Sequence, residues 1–260
     1  MVVKVKSIVT SLVLSSMIAA PAVMAAETMS AEQKKAIEKI VHDYLVSNPE
    51  VLIEASQALQ QKQQQNMREQ AQSAIRENAK SLFSGNSTTV GNPKGNVTVV
   101  EFFDYQCIHC KKMAPVMSEL LSNDKNLRVI YMEFPIFGKS SETASRAALA
   151  AAMQGKYKPL HNALLKQDKK LTKESVMEIA KSVGLDMKQL QKDMDSDKVN
   201  KILQDNRKLA EEMRLMGTPA FVVASTPNGQ FKKDSDPAFI PGATSKESLQ
   251  ELIQKASSNS

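Results

Sequence analysis

Glu101-Phe102-Phe103-Asp104-Tyr105-Gln106-Cys107-Ile108-His109-Cys110 is the stretch on which the architecture turns. Val97 to Phe103 is β-branched and aromatic, the composition of a buried strand. A helix is expected from about Ile108 to Leu121, so the two cysteines sit where a strand ends and a helix begins. They are the only cysteines in the chain. A stapling disulfide normally closes a long loop, because there the entropic gain is large; two intervening residues give little. The pair is therefore read as reactive. At a helix start the first N–H groups lack partners and the macrodipole is positive, which lowers the pKa of a Cys107 thiol below its free value of about 8.5. His109 adds a donor or a positive charge, and Cys110, one turn in, is expected to be more buried and less reactive. A zinc site needs four ligands, and His42 and His161 stand isolated. Covalent haem needs a histidine directly after the second cysteine, where Lys111 stands. No metal and no cofactor is expected.

Outward from this segment, Leu127 to Phe134 reads as a second strand ending at Pro135. A helical stretch from Ser140 to Leu215 is interrupted at Gly155, near Lys170 and at Gly184. Ala220 to Ala224 is a strand again, followed by the turn Pro227-Asn228-Gly229, a short strand near Phe239 and an amphipathic helix over Lys246–Lys255. Strand–helix–strand, a helical block, then strand–strand–helix describes an α/β domain with a helical insertion. Glu101 lies inside the apolar run VTVVEFF, where an unpaired carboxylate is costly. It is either functional or a plain salt-bridged core residue.

On the N-terminal side, Gly85 to Gly95 is rich in Gly, Ser, Asn, Thr and Pro and reads as a boundary. Before it, Ile37, Ile40, Val41, Tyr44 and Leu45 follow the spacing of one apolar helix face. Asn48-Pro49-Glu50 then opens a second helix to about Leu82, roughly 50 Å long at 1.5 Å per residue. Its glutamine-rich middle carries only a thin line of Leu52, Leu59, Met67, Ala71 and Ile75. Such a helix is not stable alone. It reads as a dimerisation arm, with a solvated stalk as the other reading. Lys4 and Lys6, the apolar run Ser7–Ala20 and the small residues up to Ala26 form a secretory signal peptide cut after Ala25 or Ala26; the run is short for a membrane anchor. Its removal takes two lysines and no acid, lowering the formal charge from +6 to +4. That mild, dispersed excess argues against nucleic acid.

The segment Glu101–Cys110 resembles the active-site segment of the DsbA family of disulfide oxidoreductases. The similarity continues through Phe134-Pro135, Ala147–Tyr157 and Gly217-Thr218-Pro219-Ala220-Phe221, and the helical arm resembles the extension of the dimeric subgroup. Ile108 stands where the best-known members carry proline. The resemblance implies a thioredoxin fold with an inserted helical domain, divided as signal peptide 1–25, arm 26–84, first thioredoxin part 85–139, insertion 140–215 and second thioredoxin part 216–260. It implies Cys107 and Cys110 as a redox-active disulfide and Glu101 as a buried acid that tunes the thiol and moves protons. Pro219 matches the cis proline beside the disulfide, and Thr218 resembles the threonine of isomerases; both would face substrate. The implied function is a homodimeric periplasmic thiol–disulfide oxidoreductase that introduces, and also reshuffles, disulfides in unfolded or misfolded exported proteins. A membrane redox partner is implied, and peripheral outer-membrane or surface association is left open. The competing reading is a non-enzymatic, chaperone-like envelope binding protein on the same fold.

Overall fold

The computed structural model describes residues 29–84, 87–233 and 235–258; the expected signal peptide lies outside them. The chain divides into two units, with the boundary after Ala58.

In the first unit, helix α1 (Ala31–Ser47) is started by a capping box. The Ser30 hydroxyl accepts from the Gln33 N–H and the Gln33 side chain accepts from the Ser30 N–H, which together occupy two otherwise unpartnered backbone donors. No residue of α1 is buried. Its apolar stripe of Ile37, Ile40, Val41 and Tyr44 is at least 46% exposed at every position.

Helix α2 (Glu50–Glu77) begins in the first unit and ends in the second, where Ala71, Ala74 and Ile75 are buried. The expected single helix to Leu82 is instead interrupted at Asn78, whose backbone turns to φ −101°, ψ 11° and whose N–H and side-chain amide both donate to the Ala74 carbonyl, at 2.9 and 3.0 Å. Helix α3 (Ala79–Phe83) follows, with Leu82 and Phe83 buried. The second unit begins at Leu59, and Ala74 and Ile75 of α2 with Ala79, Leu82 and Phe83 of α3 lie in its core.

That unit is built on a five-stranded sheet of order β1-β3-β2-β4-β5. Strand β2 (Val97–Phe103) pairs in parallel with β3 (Leu127–Glu133) and antiparallel with β4 (Ala220–Ser225). Strand β5 (Ala238–Ile240) adds to β4. The edge strand β1 (Thr89–Gly91) lies in the segment expected to be irregular. Gly91 adopts φ +85°, and a Cβ there would meet the Leu127 carbonyl oxygen, so only glycine permits this pairing.

All seven residues of β2 and of β3 are buried, because both sheet faces are covered. Val100, Phe102, Ile130 and Met132 face α3 and helix α9 (Asp197–Glu212). Val97, Val99, Phe103, Val129 and Tyr131 face helix α4 (Ile108–Asn123), helix α10 (Lys246–Ser258) and the inserted helices. The insertion comprises α5 (Lys139–Met153), α6 (Tyr157–Leu165), α7 (Lys173–Ser182), α8 (Met187–Met194) and α9. It has one more interruption than expected, between α8 and α9, where the Ser196 hydroxyl caps α9. Glu101 belongs by its register to the α4 face, directly below the cysteines.

Candidate redox site

After β2 the chain turns through Asp104–Cys107, closed by the Cys107 N–H on the Asp104 carbonyl at 3.1 Å. The fully buried Asp104 carboxylate fixes this turn. One oxygen accepts from the Gln106 N–H and the Ser141 hydroxyl, both at 2.7 Å. The other accepts from the N–H groups of Ile136 (2.8 Å) and Phe137 (3.1 Å). A buried charge is tolerated where donors surround it in this way. Cys107 is then the N-cap of α4, with extended backbone and the free N–H groups of the first turn facing its side chain.

Both cysteines are free thiols and both are buried. The Cys107 pKa is lowered to about 5. A hydrogen bond from the Cys110 thiol is the largest cause, followed by one from Thr218 and by the backbone N–H groups of Cys110 and His109, against the opposing effect of burial. In the thiol form, Cys107 Sγ donates to the Thr218 carbonyl at 3.2 Å. The Thr218 hydroxyl is buried with no partner in that form, and it is a donor that the charged sulfur gains. Burial pushes the Cys110 thiol strongly up. His109 contributes its backbone N–H; its side chain is exposed. The Thr218–Pro219 peptide is cis and leads into β4, which the register with β2 holds beside the turn.

Glu101 is 3% exposed, and its carboxyl is raised to about 8, first by burial and then by the nearby Cys107 charge. The sequence-derived residues Cys107, Cys110, Glu101, Thr218 and Pro219 therefore converge on one place, with His109 at its rim. Ile108, Ile136, Phe137 and Met216 are exposed apolar side chains on the segments that carry or hold this site.

A second polar cluster on the same sheet face was not found from sequence. Glu133 Oε1 accepts from the Tyr105 and Tyr157 hydroxyls, each at 2.9 Å. His161 Nδ1 lies 3.1 Å from the Tyr105 hydroxyl and 3.4 Å from that of Tyr157. Burial raises Glu133 to about 8 and lowers His161 to about 3, so the acid is protonated and the imidazole neutral at pH 7. His161 on α6 is 2% exposed and packed among tyrosine rings. His42 is exposed on α1. Among the described residues no cluster of His, Cys, Asp and Glu could hold a metal ion, and no helix is long and apolar enough to cross a membrane.

Residues 98–254 match the DSBA-like thioredoxin domain model, and residues 33–66 match the N-terminal domain of the copper resistance protein ScsC. The crystal structure of BcfH from Salmonella enterica Typhimurium is 33% identical with a TM-score of 0.73, over 87% of this chain and 96% of that one. A thioredoxin-like oxidoreductase from Silicibacter pomeroyi is 40% identical with a TM-score of 0.61, over 68% of this chain and 96% of that one. A putative protein-disulfide oxidoreductase of Rickettsia typhi is 25% identical over 66% of this chain and 67% of its own length. The chain also matches sodium/proton antiporters of Salinispora, of which it spans only 21%.

Proposed function

From a chain that belongs to the DsbA-like thioredoxin family and is a thiol–disulfide oxidoreductase, we propose a periplasmic enzyme that oxidises cysteine pairs in exported, unfolded proteins through Cys107 and Cys110 and also reshuffles wrong pairings. The observation that carries this reading is the opposition of the two thiols, Cys107 pulled down to about 5 and Cys110 pushed up by burial. A stabilised thiolate favours the reduced form, so the disulfide gives up its oxidising equivalents readily. It also makes Cys107 the better leaving group.

In the oxidised enzyme, a substrate thiolate attacks Cys107 Sγ. The Cys107–Cys110 bond breaks and Cys110 leaves with the electron pair. As its pKa is raised it takes up a proton, and Glu101, protonated up to about pH 8, is the acid positioned to supply it. The second substrate thiolate then attacks its own half of the mixed disulfide, the substrate bond closes, and Cys107 departs as thiolate. Two electrons now reside on the enzyme, and a membrane redox partner removes them. Thr218 and Pro219 present backbone to the substrate strand, and the exposed apolar side chains nearby suit an unfolded chain. The unburied stripe of α1, in a segment matching the ScsC N-terminal domain, supports self-association through the arm, the homodimer being the smallest such assembly. Family membership and the activated thiol favour this enzyme over a non-enzymatic binding protein.

The test is the ultraviolet thiolate absorbance of reduced protein against pH, on a sample whose mass is measured in solution. A midpoint near 5 and a mass of at least two chains are expected. A midpoint near the free value of about 8.5 overturns the oxidase; a single-chain mass overturns the arm's role.

A further inference from the structure

Next to the reactive cysteine, the surface between α4 and α6 opens into a groove of about 630 Å³ that begins at Ile108. Its floor is apolar, with Ala114, Pro115 and Leu165, and Ile108 at the mouth is 61% exposed. Its walls are cationic. Lys111 and Lys112 stand on α4 and Lys166 on the end of α6, against the single acid Asp168. From Ile108 to Ser118, α4 carries no acidic residue. Lys111 Nζ donates to the Gln167 carbonyl at 2.6 Å and ties the two walls together without neutralising its charge. Lys112 and Lys166 are exposed and form no ion pair among the described residues.

We propose that this groove reads the residues flanking the substrate cysteine and selects chains that are acidic there. This rests on the oxidase reading above and adds a substrate preference to it. A chain joined to Cys107 passes Ile108 within one or two residues. At about 3.3 Å per residue its next two or three side chains lie along the groove. Surface charges are screened beyond about 8 Å at physiological salt, so only those few residues are read. Acidic side chains there are drawn to Lys112 and Lys166, and basic ones are repelled. The groove acts on the first encounter and on the geometry of the mixed disulfide, and it leaves the exchange chemistry unchanged.

The experiment uses the full oxidised chain and two dithiol peptides that differ only in the residues beside the first cysteine, two glutamates in one and two lysines in the other. Their oxidation is followed by stopped flow at low and high salt. The acidic peptide should react about tenfold faster at low salt, the lower end of steering effects, and the ratio should fall toward one at high salt. Lys112→Glu combined with Lys166→Glu should reverse the order of the two peptides with an unchanged melting temperature, since both side chains are exposed. Equal rates for the two peptides, or a ratio that survives the double substitution, overturns the groove's role alone. Failure to oxidise either peptide overturns the oxidase reading itself, and this proposal with it.

Discussion

Two carboxylic acids lie buried on one face of the sheet, Glu101 on β2 and Glu133 on β3, and both are raised to about 8 by burial. Their surroundings differ. Around Glu133, two tyrosine hydroxyls donate to one oxygen and a neutral imidazole closes the cage. Around Glu101 there is no side-chain hydrogen bond among the described residues, and the group that acts on it electrically is the Cys107 sulfur. Burial sets how tightly each acid holds its proton. The partners set whether that proton can be given away. Glu133 is a fixed strut between β3, the active-site turn and α6, whereas Glu101, held by no side chain among the described residues, is the acid proposed above to exchange a proton with the thiols.

The largest consequence is shared by both acids. Between pH 6.5 and 8 their unfolded forms, with pKa 4.5, have lost their protons while the folded forms keep them. The unfolded state then binds fewer protons, so stability falls as pH rises. The loss is about 2 kcal/mol per acid across that window. Below 6.5, His161 acts in the opposite direction, its depressed folded pKa removing stability as pH falls. Urea unfolding of oxidised protein, in which Cys107 cannot titrate, should show the decline, and Glu101→Gln combined with Glu133→Gln should flatten it. A wild-type curve that is level or rising over the window would show that the two acids are not held neutral.

Substitution by alanine should separate them. Glu133→Ala strands two buried hydroxyls and leaves a cavity, costing about 3 kcal/mol at pH 7. Glu101→Ala leaves a similar cavity but strands no donor, so it should cost about 1–2 kcal/mol less than Glu133→Ala. Equal losses in chemical denaturation would erase the distinction between strut and proton donor.

The smallest effect is kinetic. Glu101→Gln should slow the breaking of the Cys107–Cys110 bond by substrate roughly tenfold, equivalent to about 1.4 kcal/mol, and remove the inflection near pH 8 from the rate profile. Glu133→Gln should leave that inflection in place. A profile that loses it in the Glu133 variant would transfer the role to the caged acid.

The central strands were legible because runs such as VTVVEFF and LRVIYMEF admit little else, and the helix opening at Ile108 placed the cysteines. The edge strand β1 was not legible: three residues carry no periodicity, and its pairing with β3 is made about forty residues away. The break at Asn78 was missed because it is a change of backbone angles at one residue within an otherwise helical pattern. Glu101 was singled out as a charge in an apolar run, and the same signal stands in Tyr131-Met132-Glu133-Phe134, where it was passed over. The cage itself could not be read from sequence. Its members come from the turn after β2, from β3 and from α6, which only the fold brings together. The expectation for His109 was of a donor or a positive charge beside the thiol; the donor that reaches the sulfur is its backbone N–H, and the side chain is exposed.

The Asp104 carboxylate sets an order of events for a chain that is still folding. Three of the four donors that hold it lie 32 to 37 residues downstream, and Thr218, which completes the sulfur's surroundings, lies 111 residues beyond Cys107. Contacts of such long range are closed late. An incomplete molecule has at most the local donors from Cys110 and the first turn of α4, and the sulfur gains Thr218 only when nearly the whole second unit is in place. Full reactivity in this protein is a certificate of its own completed folding.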